Sequence, residues 1–307
     1  MKKQITRFAP SPTGSLHLGN ACSFILNWLL ANYYDWTIIC RIEDLCGPRK
    51  NSVHITQTLE VMEWLGLKWQ GEAVLQSNNI SHATDAMNTL IALNKVYHCN
   101  LSRTEINSSL IAPEKNEHPS FSIRPDDCLT HNSHATLEDT NWRFMTDCRT
   151  MVVTDNICGK VEIAPEHDFV IWTRDGLPAY QLAVVADDYA QGVTQVVRAN
   201  DLLPSSAWQE QIYNALGWER PQWWHTPLIT GTDKRKLAKR HGDTKISTFR
   251  SNGIPAERII GLVAFWCGYT DQRKAITLPD FLSFFEPNML NKYSIECTDK
   301  DIKWLTE

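Results

Sequence analysis

The chain opens with a strand, a tight turn and a long apolar helix in immediate succession, and this order restricts its architecture more than any other feature. Gln4 to Ala9 reads as a strand, Pro10-Ser11-Pro12-Thr13-Gly14 breaks it, and Leu18 to Tyr33 is an apolar helical stretch. A second strand is expected at Thr37 to Ile42, and a second helix from about Val53 to Leu65 with apolar residues at helical spacing. A βαβα beginning of this kind points to a parallel sheet.

A further helical pattern spans Ile80 to Val96. From Cys99 to Thr140 the texture changes to Ser, Asn, Pro and His, which reads as an irregular insertion. Sheet-like alternation returns at Met151 to Ile163 and Phe169 to Trp172. A helix at Tyr180 to Tyr189, a buried strand at Gln195 to Arg198 and a helix at Ala207 to Leu216 then resume the doubly wound layout. Beyond Pro255 an amphipathic helix runs through Ile259, Leu262, Val263 and Trp266, followed by short helical pieces to Leu305. Tryptophans such as Trp28 and Trp64 sit at helical core positions and read as packing.

With 307 residues the chain holds one large domain or two modest ones. Its nine cysteines are odd in number and scattered, with no CxxC, a pattern of reduced thiols in a cytoplasm. Met1-Lys2-Lys3 leads into a strand and not into an apolar export segment. The apolar stretches at Phe24 to Ala31 and Leu262 to Trp266 fall short of the roughly 20 residues of a membrane helix. A soluble, cytoplasmic protein with no membrane partner is expected. The formal net charge of −5 argues against a protein that coats nucleic acid indiscriminately. Lys234, Arg235, Lys236, Lys239, Arg240, Lys245 and Arg250 form one basic concentration, whose plainer alternative is a solvated surface loop.

Two segments carry chemistry. Ser11-Pro12-Thr13-Gly14-Ser15-Leu16-His17-Leu18-Gly19-Asn20 joins a turn to a helix start, which aims backbone N–H groups at an anion. Gly19 allows a nucleotide to approach the backbone. His17 is placed either to donate hydrogen bonds to charge building on a phosphate or simply to cap the helix. Lys236-Leu237-Ala238-Lys239-Arg240 is a basic run suited to closing over phosphates from the other side, so the two together look like halves of one ATP site.

Arg7-Phe8-Ala9-Pro10-Ser11-Pro12-Thr13-Gly14 with His17-Leu18-Gly19-Asn20, Arg41-Ile42-Glu43-Asp44, the block from Asp175 to Asp188, Gly192-Val193-Thr194 with Val197-Arg198, and Lys236 to Asp243 together resemble the class I glutamyl-tRNA synthetases. Their order and spacing match along most of the chain. Among these the chain is similar to the short glutamyl-queuosine tRNA(Asp) synthetases, which lack an anticodon-binding domain. The resemblance implies an α/β fold: a Rossmann-like class I aminoacyl-tRNA synthetase catalytic core with an inserted subdomain and a short C-terminal helical segment. The corresponding division is 1–97 and 166–250 for the two halves of the core, 98–165 for the insertion, and 251–307 for the helical segment, with no anticodon-binding domain.

The resemblance further implies ATP-dependent, tRNA-independent activation of L-glutamate to glutamyl adenylate, then transfer to the queuosine base of tRNA(Asp). Arg7 and Arg198 would clamp carboxylate, since a guanidinium offers a bidentate fork. Glu43 would pair with the substrate ammonium, and Tyr180 would offer its hydroxyl to the side-chain end. Ser11 and the backbone of Arg7, Phe8, Ala9, Pro10 and Ser11 would complete the glutamate pocket. His17, Gly19, Asn20 and Lys239 would bind ATP, with His17 and Lys239 stabilising the developing charge and Lys236 a lesser participant. The plainer alternatives are an Arg41 ion pair for Glu43 and a half-buried core position for Tyr180. Mg2+ is expected with ATP, and a monomer is expected.

Relatives of the short subgroup often bind zinc in the insertion through a Cys-x-Cys pair, a tyrosine and a later cysteine. Here Leu101 stands where the second cysteine belongs, and Cys128, His118, His131 and His134 offer no ligand spacing, so no structural zinc is expected. Ala238 stands where many relatives have serine, and Leu45-Cys46-Gly47-Pro48-Arg49 departs from the usual acidic pattern. Two other activities fit the same residues less well: a truncated glutamyl-tRNA synthetase charging a tRNA 3′ end, and a non-catalytic paralogue that binds glutamate or RNA.

Overall fold

The computed structural model describes residues 3–12, 14–45, 52–99, 137–147, 150–164, 168–237 and 244–307. The chain runs β1 (Ile5–Phe8), α1 (Leu18–Tyr33), β2 (Thr37–Ile42), α2 (Ser52–Trp64), β3 (Val74–Leu75), α3 (Ser81–Ala92) and β4 (Val96–Cys99). It continues through β5 (Asn141–Phe144), the hairpin β6 (Met151–Asp155) and β7 (Gly159–Ile163), β8 (Phe169–Trp172), α4 (Tyr180–Ala190), β9 (Gln195–Ala199), α5 (Leu203–Leu216), β10 (Gln222–Thr226) and β11 (Ile229–Thr230). The last elements are α6 (Ile246–Ser251), α7 (Ala256–Trp266), α8 (Leu278–Ser283), β12 (Ile295–Glu296) and α9 (Asp299–Thr306).

Seven strands form one sheet in the order β3-β2-β1-β9-β10-β6-β7, parallel except for the β6–β7 hairpin at its edge. Helices cover both faces. On one, α1 buries Leu18, Ala21, Cys22, Ile25, Leu26, Leu29 and Leu30, an i, i+3/i+4 stripe that meets Phe8, α7 and α8. On the other, α3, α4 and α5 pack together around Met87, Leu182, Val185 and Ile212. The crossing of α7 is tight: a Cβ on Gly261 would lie 1.7 Å from the carbonyl oxygen of Lys274.

One expectation needs correction. The helix expected to reach Val96 ends at Ala92, and after a left-handed Asn94 (φ 52°) the chain turns into β4. The segment expected as the insertion, 98–165, takes part in two sheets. The β6–β7 hairpin joins the main sheet through β10, whereas β4, β5 and β8 build a separate antiparallel sheet of three strands. The 98–165 segment therefore contributes to both sheets, and β8 beyond it belongs with the small one. Local alternation marks a strand but not its ladder partner, which long-range register decides.

Cys22, Cys40, Cys99, Cys158, Cys267 and Cys297 are buried and not disulfide-bonded. Among the described residues no helix is long and apolar enough to cross a membrane.

Candidate active site

From β1 the chain winds outward through β2 to β3, then returns on the other side of β1 to form β9 and β10. Open α/β sheets bind ligands beyond the carboxyl ends of the strands where the winding reverses. A cavity of about 450 Å³ lies there. It gathers Arg7, Ala9, Pro10 and Ser11 from β1 and its turn, His17 and Asn20 from the start of α1, Glu43 after β2, Tyr180 opening α4, Arg198 on β9, and Lys236. Residues from three strand ends, two helix starts and a distant loop thus share one pocket.

Two expected contributors do not line it. Phe8 is fully buried, edge-on to Phe24 at 5.7 Å and Trp69 at 6.5 Å, because alternate residues of β1 face opposite sides of the sheet. Its side chain is a core anchor. Gly19 serves the histidine before it: a Cβ there would meet the His17 ring at 3.0 Å. The Gly19 N–H donates to His17 Nδ1 at 3.1 Å, and the His17 N–H donates to Asn20 Oδ1 at 3.0 Å. His17 is therefore both the helix cap and a lining residue of the cavity. Burial, with the Lys236 charge nearby, lowers its pKa to about 4. With Nδ1 accepting from the helix, the neutral ring carries its proton on Nε2, ready to donate.

Arg7 and Arg41 share one carboxylate on α4. Arg7 Nε lies 3.1 Å and Arg41 Nη1 2.8 Å from Asp188 Oδ1. Arg41 Nη2 also donates to Glu43 Oε1 at 3.1 Å, and Arg41 Nε lies 3.8 Å from Asp187 Oδ2, itself held by Gln76 Nε2 at 2.8 Å. Burial raises the Asp188 pKa, but the two guanidiniums outweigh it and hold the carboxyl below its ordinary value. For Glu43 burial wins over Arg41, and its pKa is raised. Glu43 thus has the Arg41 partner that the plainer alternative gave it, and Arg7 spends its Nε edge on Asp188. Tyr180, at the first position of α4, is raised by burial against the nearby Arg198.

Arg198 is held differently. Its Nε donates to His225 Nε2 at 3.1 Å, its Nη2 donates to Ser206 Oγ at 2.8 Å, and its guanidinium carbon lies 4.9 Å over the Trp223 ring. Among the described residues no carboxylate pairs with it. Burial lowers its pKa from a very high value, so it stays charged. A buried cation whose hydrogen-bond partners are neutral, open to a cavity, is an incomplete ion pair that an anionic ligand completes. Ser206, His225 and Asp155 lie outside the motifs that mark the site; the run Gln-Trp-Trp-His-Thr over β10 is the local strand signal that accompanies them.

The lysine segment meets the cavity at both ends. Leu237 N–H donates to Ile229 O at 3.0 Å, and Lys236 pairs with Asp201, another lining residue. On the return limb, Leu18 N–H donates to Thr244 O at 3.1 Å and Ile246 N–H to Leu16 O at 2.9 Å, stitching the segment to the His17 turn. Lys239, with Ala238 and Arg240, lies outside the described residues, as do Cys46, Gly47, Pro48, Leu101, Cys128, His118, His131 and His134. In the basic concentration, Lys234 pairs with Glu296 and Arg250 with Glu60, so much of that charge is neutralised locally. Among the described residues no group of three His, Cys, Asp or Glu side chains is placed to hold a metal.

The family model for the catalytic domain of class I tRNA synthetases (E and Q) matches residues 3–304. The chain belongs to that family. It is therefore a ligase of the class I aminoacyl-tRNA synthetase type. A glutamyl-Q tRNA(Asp) synthetase of Rhodopirellula baltica is 35% identical over 95% of this chain and 94% of that protein. A glutamate–tRNA ligase of Lawsonia intracellularis is 34% identical over 99% of this chain but only 66% of its own length. The chain thus spans slightly less than two thirds of that longer relative. In structure it matches a glutamate–tRNA synthetase of Elizabethkingia anophelis with a TM-score of 0.80 at 24% identity, covering 99% of this chain and 70% of that one.

Proposed function

We propose that this synthetase activates L-glutamate with ATP, without tRNA, and transfers the glutamyl group to a queuosine-modified tRNA(Asp). The observation that carries the amino-acid half is Arg198, a buried guanidinium with no carboxylate partner among the described residues, facing the same cavity as His17. A dicarboxylic amino acid supplies a carboxylate for Arg198, an ammonium for the Oε2 side of Glu43, and a second carboxylate that must meet the α-phosphate. An oxygen of that carboxylate attacks the α-phosphorus; the new P–O bond forms as the bond to the β-phosphate breaks, and pyrophosphate leaves. An acceptor hydroxyl then takes the glutamyl carbon and AMP departs.

His17 suits the phosphate side because its neutral ring offers an Nε2–H without a charge that would bind the ground state as strongly. The first N–H groups of α1 are already engaged, Leu18 with Thr244 O, Gly19 with His17 Nδ1, and Asn20 and Ala21 with His17 O, so the helix contributes its positive dipole end and not free donors. Lys239 is assigned to the developing charge and Lys236 to orientation, its Asp201 partner holding it at the mouth. Magnesium enters with ATP, whose phosphate oxygens and waters are its usual ligands.

The acceptor is assigned from likeness: a glutamyl-Q tRNA(Asp) synthetase is 35% identical and matched over 94% of its own length. Glutamate-dependent ATP–pyrophosphate exchange without tRNA, then transfer of labelled glutamate to tRNA with and without queuosine, tests the whole reading. Exchange with queuosine-dependent labelling is expected. Label on unmodified tRNA would mean 3′-end charging, and no exchange even with tRNA would mean a non-catalytic binder. Lys239→Ala should abolish exchange while leaving glutamate binding nearly intact.

A further inference from the structure

Cross-strand register places four side chains on one face of the sheet. Arg198 on β9 is paired directly with His225 on β10, and Trp223, two residues before His225, is paired with Asp155 on β6. Partners in register and residues two apart share a face, so Asp155, Trp223, His225 and Arg198 all project toward α5. There Ser206 meets them. None of Asp155, Ser206 or His225 lines the cavity, but Arg198 does.

The contacts run in one direction. Asp155 Oδ1 accepts from the N–H groups of Ile157 at 2.8 Å and Cys158 at 2.7 Å, which fixes the carboxylate plane. Its Oδ2 accepts from the His225 backbone N–H at 3.0 Å and lies 2.7 Å from His225 Nδ1. An ionised carboxylate only accepts, so Nδ1 must carry the proton. Nε2 of a neutral ring is then a lone pair, which is what Arg198 Nε–H requires at 3.1 Å. A doubly protonated ring would set an N–H against an N–H. Ser206 Oγ lies 3.4 Å from the same Nε2 and accepts from Arg198 Nη2, closing a triangle. Nε and Nη2 are thereby engaged, and among the described residues Nη1 has no hydrogen-bond partner, leaving that edge of the fork to the cavity.

We propose that His225, locked as its neutral Nδ1–H tautomer by Asp155 and assisted by Ser206, is a positioning residue that aims Arg198 at the carboxylate of the substrate. The inference rests on the reading of the cavity as a glutamate site. His225 and Asp155 are 0% and 3% exposed, so the relay lies beyond substrate contact. Its action is on where the guanidinium points and not on the reacting atoms. The Asp155 charge, reaching Arg198 through a neutral imidazole, orients the guanidinium without neutralising it, which a carboxylate bonded directly to Arg198 would do.

Two measurements test this. Nitrogen-15 NMR of the imidazoles at pH 7, with His225 assigned from a His225→Asn variant, reads the tautomer without any activity. A neutral Nδ1–H ring is expected, and a charged or Nε2–H ring would overturn the proposal. Pyrophosphate exchange then compares His225→Gln with His225→Asn. The Gln oxygen reaches the place of Nε2 and still accepts from Arg198, whereas the Asn amide fills the place of Nδ1 and leaves Arg198 Nε without its acceptor. The Asn variant should raise the glutamate KM about tenfold or more, the Gln variant by less than about threefold, with the ATP KM of both within about twofold of wild type. Equal glutamate constants for the two variants, or parallel losses toward ATP, would overturn the relay. Should the histidine variants fail to fold, Ser206→Ala removes the acceptor of Nη2 on the same edge of the fork that His225 engages. It must raise the glutamate KM, and an unchanged value would sink the proposal. If the wild-type chain shows no glutamate-dependent exchange, the functional reading fails, and the NMR tautomer alone decides the relay.

Discussion

Two guanidiniums project from the same face of neighbouring strands, yet their surroundings give them different tasks. Arg7 is tied to Asp188, which Arg41 shares, and this knot joins β1, β2 and α4. Arg198 has a neutral histidine and a serine instead. Arg41→Met should therefore act on stability, leaving Asp188 and Glu43 buried without one of their cations, at a cost of about 3–5 kcal/mol that urea unfolding would read. Arg198→Ala should act on substrate, raising the glutamate KM by about tenfold to hundredfold in pyrophosphate exchange with little loss of folding stability. Arg198→Lys should not restore it, because an ammonium cannot span His225, Ser206 and a ligand at once. A pH test isolates His225, whose charged neighbours are Asp155 on β6, Arg198 on β9 and Asp201 just beyond. Burial lowers its pKa from 6.5 to about 4 even though the Asp155 bond opposes this. Between those values the unfolded chain binds the extra proton and the folded chain does not, so folding weakens as the pH falls. The stability advantage of wild type over His225→Gln should shrink from pH 6.5 to pH 4 in urea titrations.

At the scale of elements, close approach decides which residues are replaceable. Helix α7 lets the 274–276 segment pass against Gly261, and a methyl at that position would collide with the Lys274 carbonyl, which is backbone and cannot swing away. Gly261→Ala should cost about 3 kcal/mol or more in urea unfolding, beyond the small gain in helix propensity. Gly19 differs in kind, since the added methyl would press on the His17 ring at 3.0 Å. That ring is a side chain and can turn aside. Gly19→Ala should thus leave folding nearly intact while misplacing Nε2, lowering kcat for exchange more than it raises the KM for glutamate.

Across the whole molecule, the winding reversal at β1 and β9 separates the two ligand halves between different elements. In the proposed reading, the carboxylate side would rest on β9, β10 and α5, and the phosphate side on the α1 turn and Lys236. Glutamate and a non-hydrolysable ATP analogue should each raise the melting temperature, by about 2.7 kcal/mol of added stability at a hundredfold excess over Kd. Arg198→Ala should remove the glutamate increment and keep the nucleotide one. Loss of both together would mean that the cavity is organised as a single unit.

The helix–strand order was legible because its signals are local. The apolar stripe of α1, the break at Pro10 to Gly14 and the β-branched run of β2 each sit within a few residues of one another, and α1 and β2 have the bounds expected for them. So were most cavity-lining side chains, because Arg7, Ser11, His17, Glu43, Tyr180, Arg198 and Lys236 belong to motifs. What the chain alone did not disclose depends on ladders between distant segments. The assignment of β6–β7 to the main sheet, the turning of Phe8 into the core and the task of Gly19 all follow from register or from a neighbour's position. So does the Asp155–His225–Arg198 alignment: its members are 27 and 70 residues apart, and a hydrogen bond across such distances exists only once β6, β9 and β10 lie side by side.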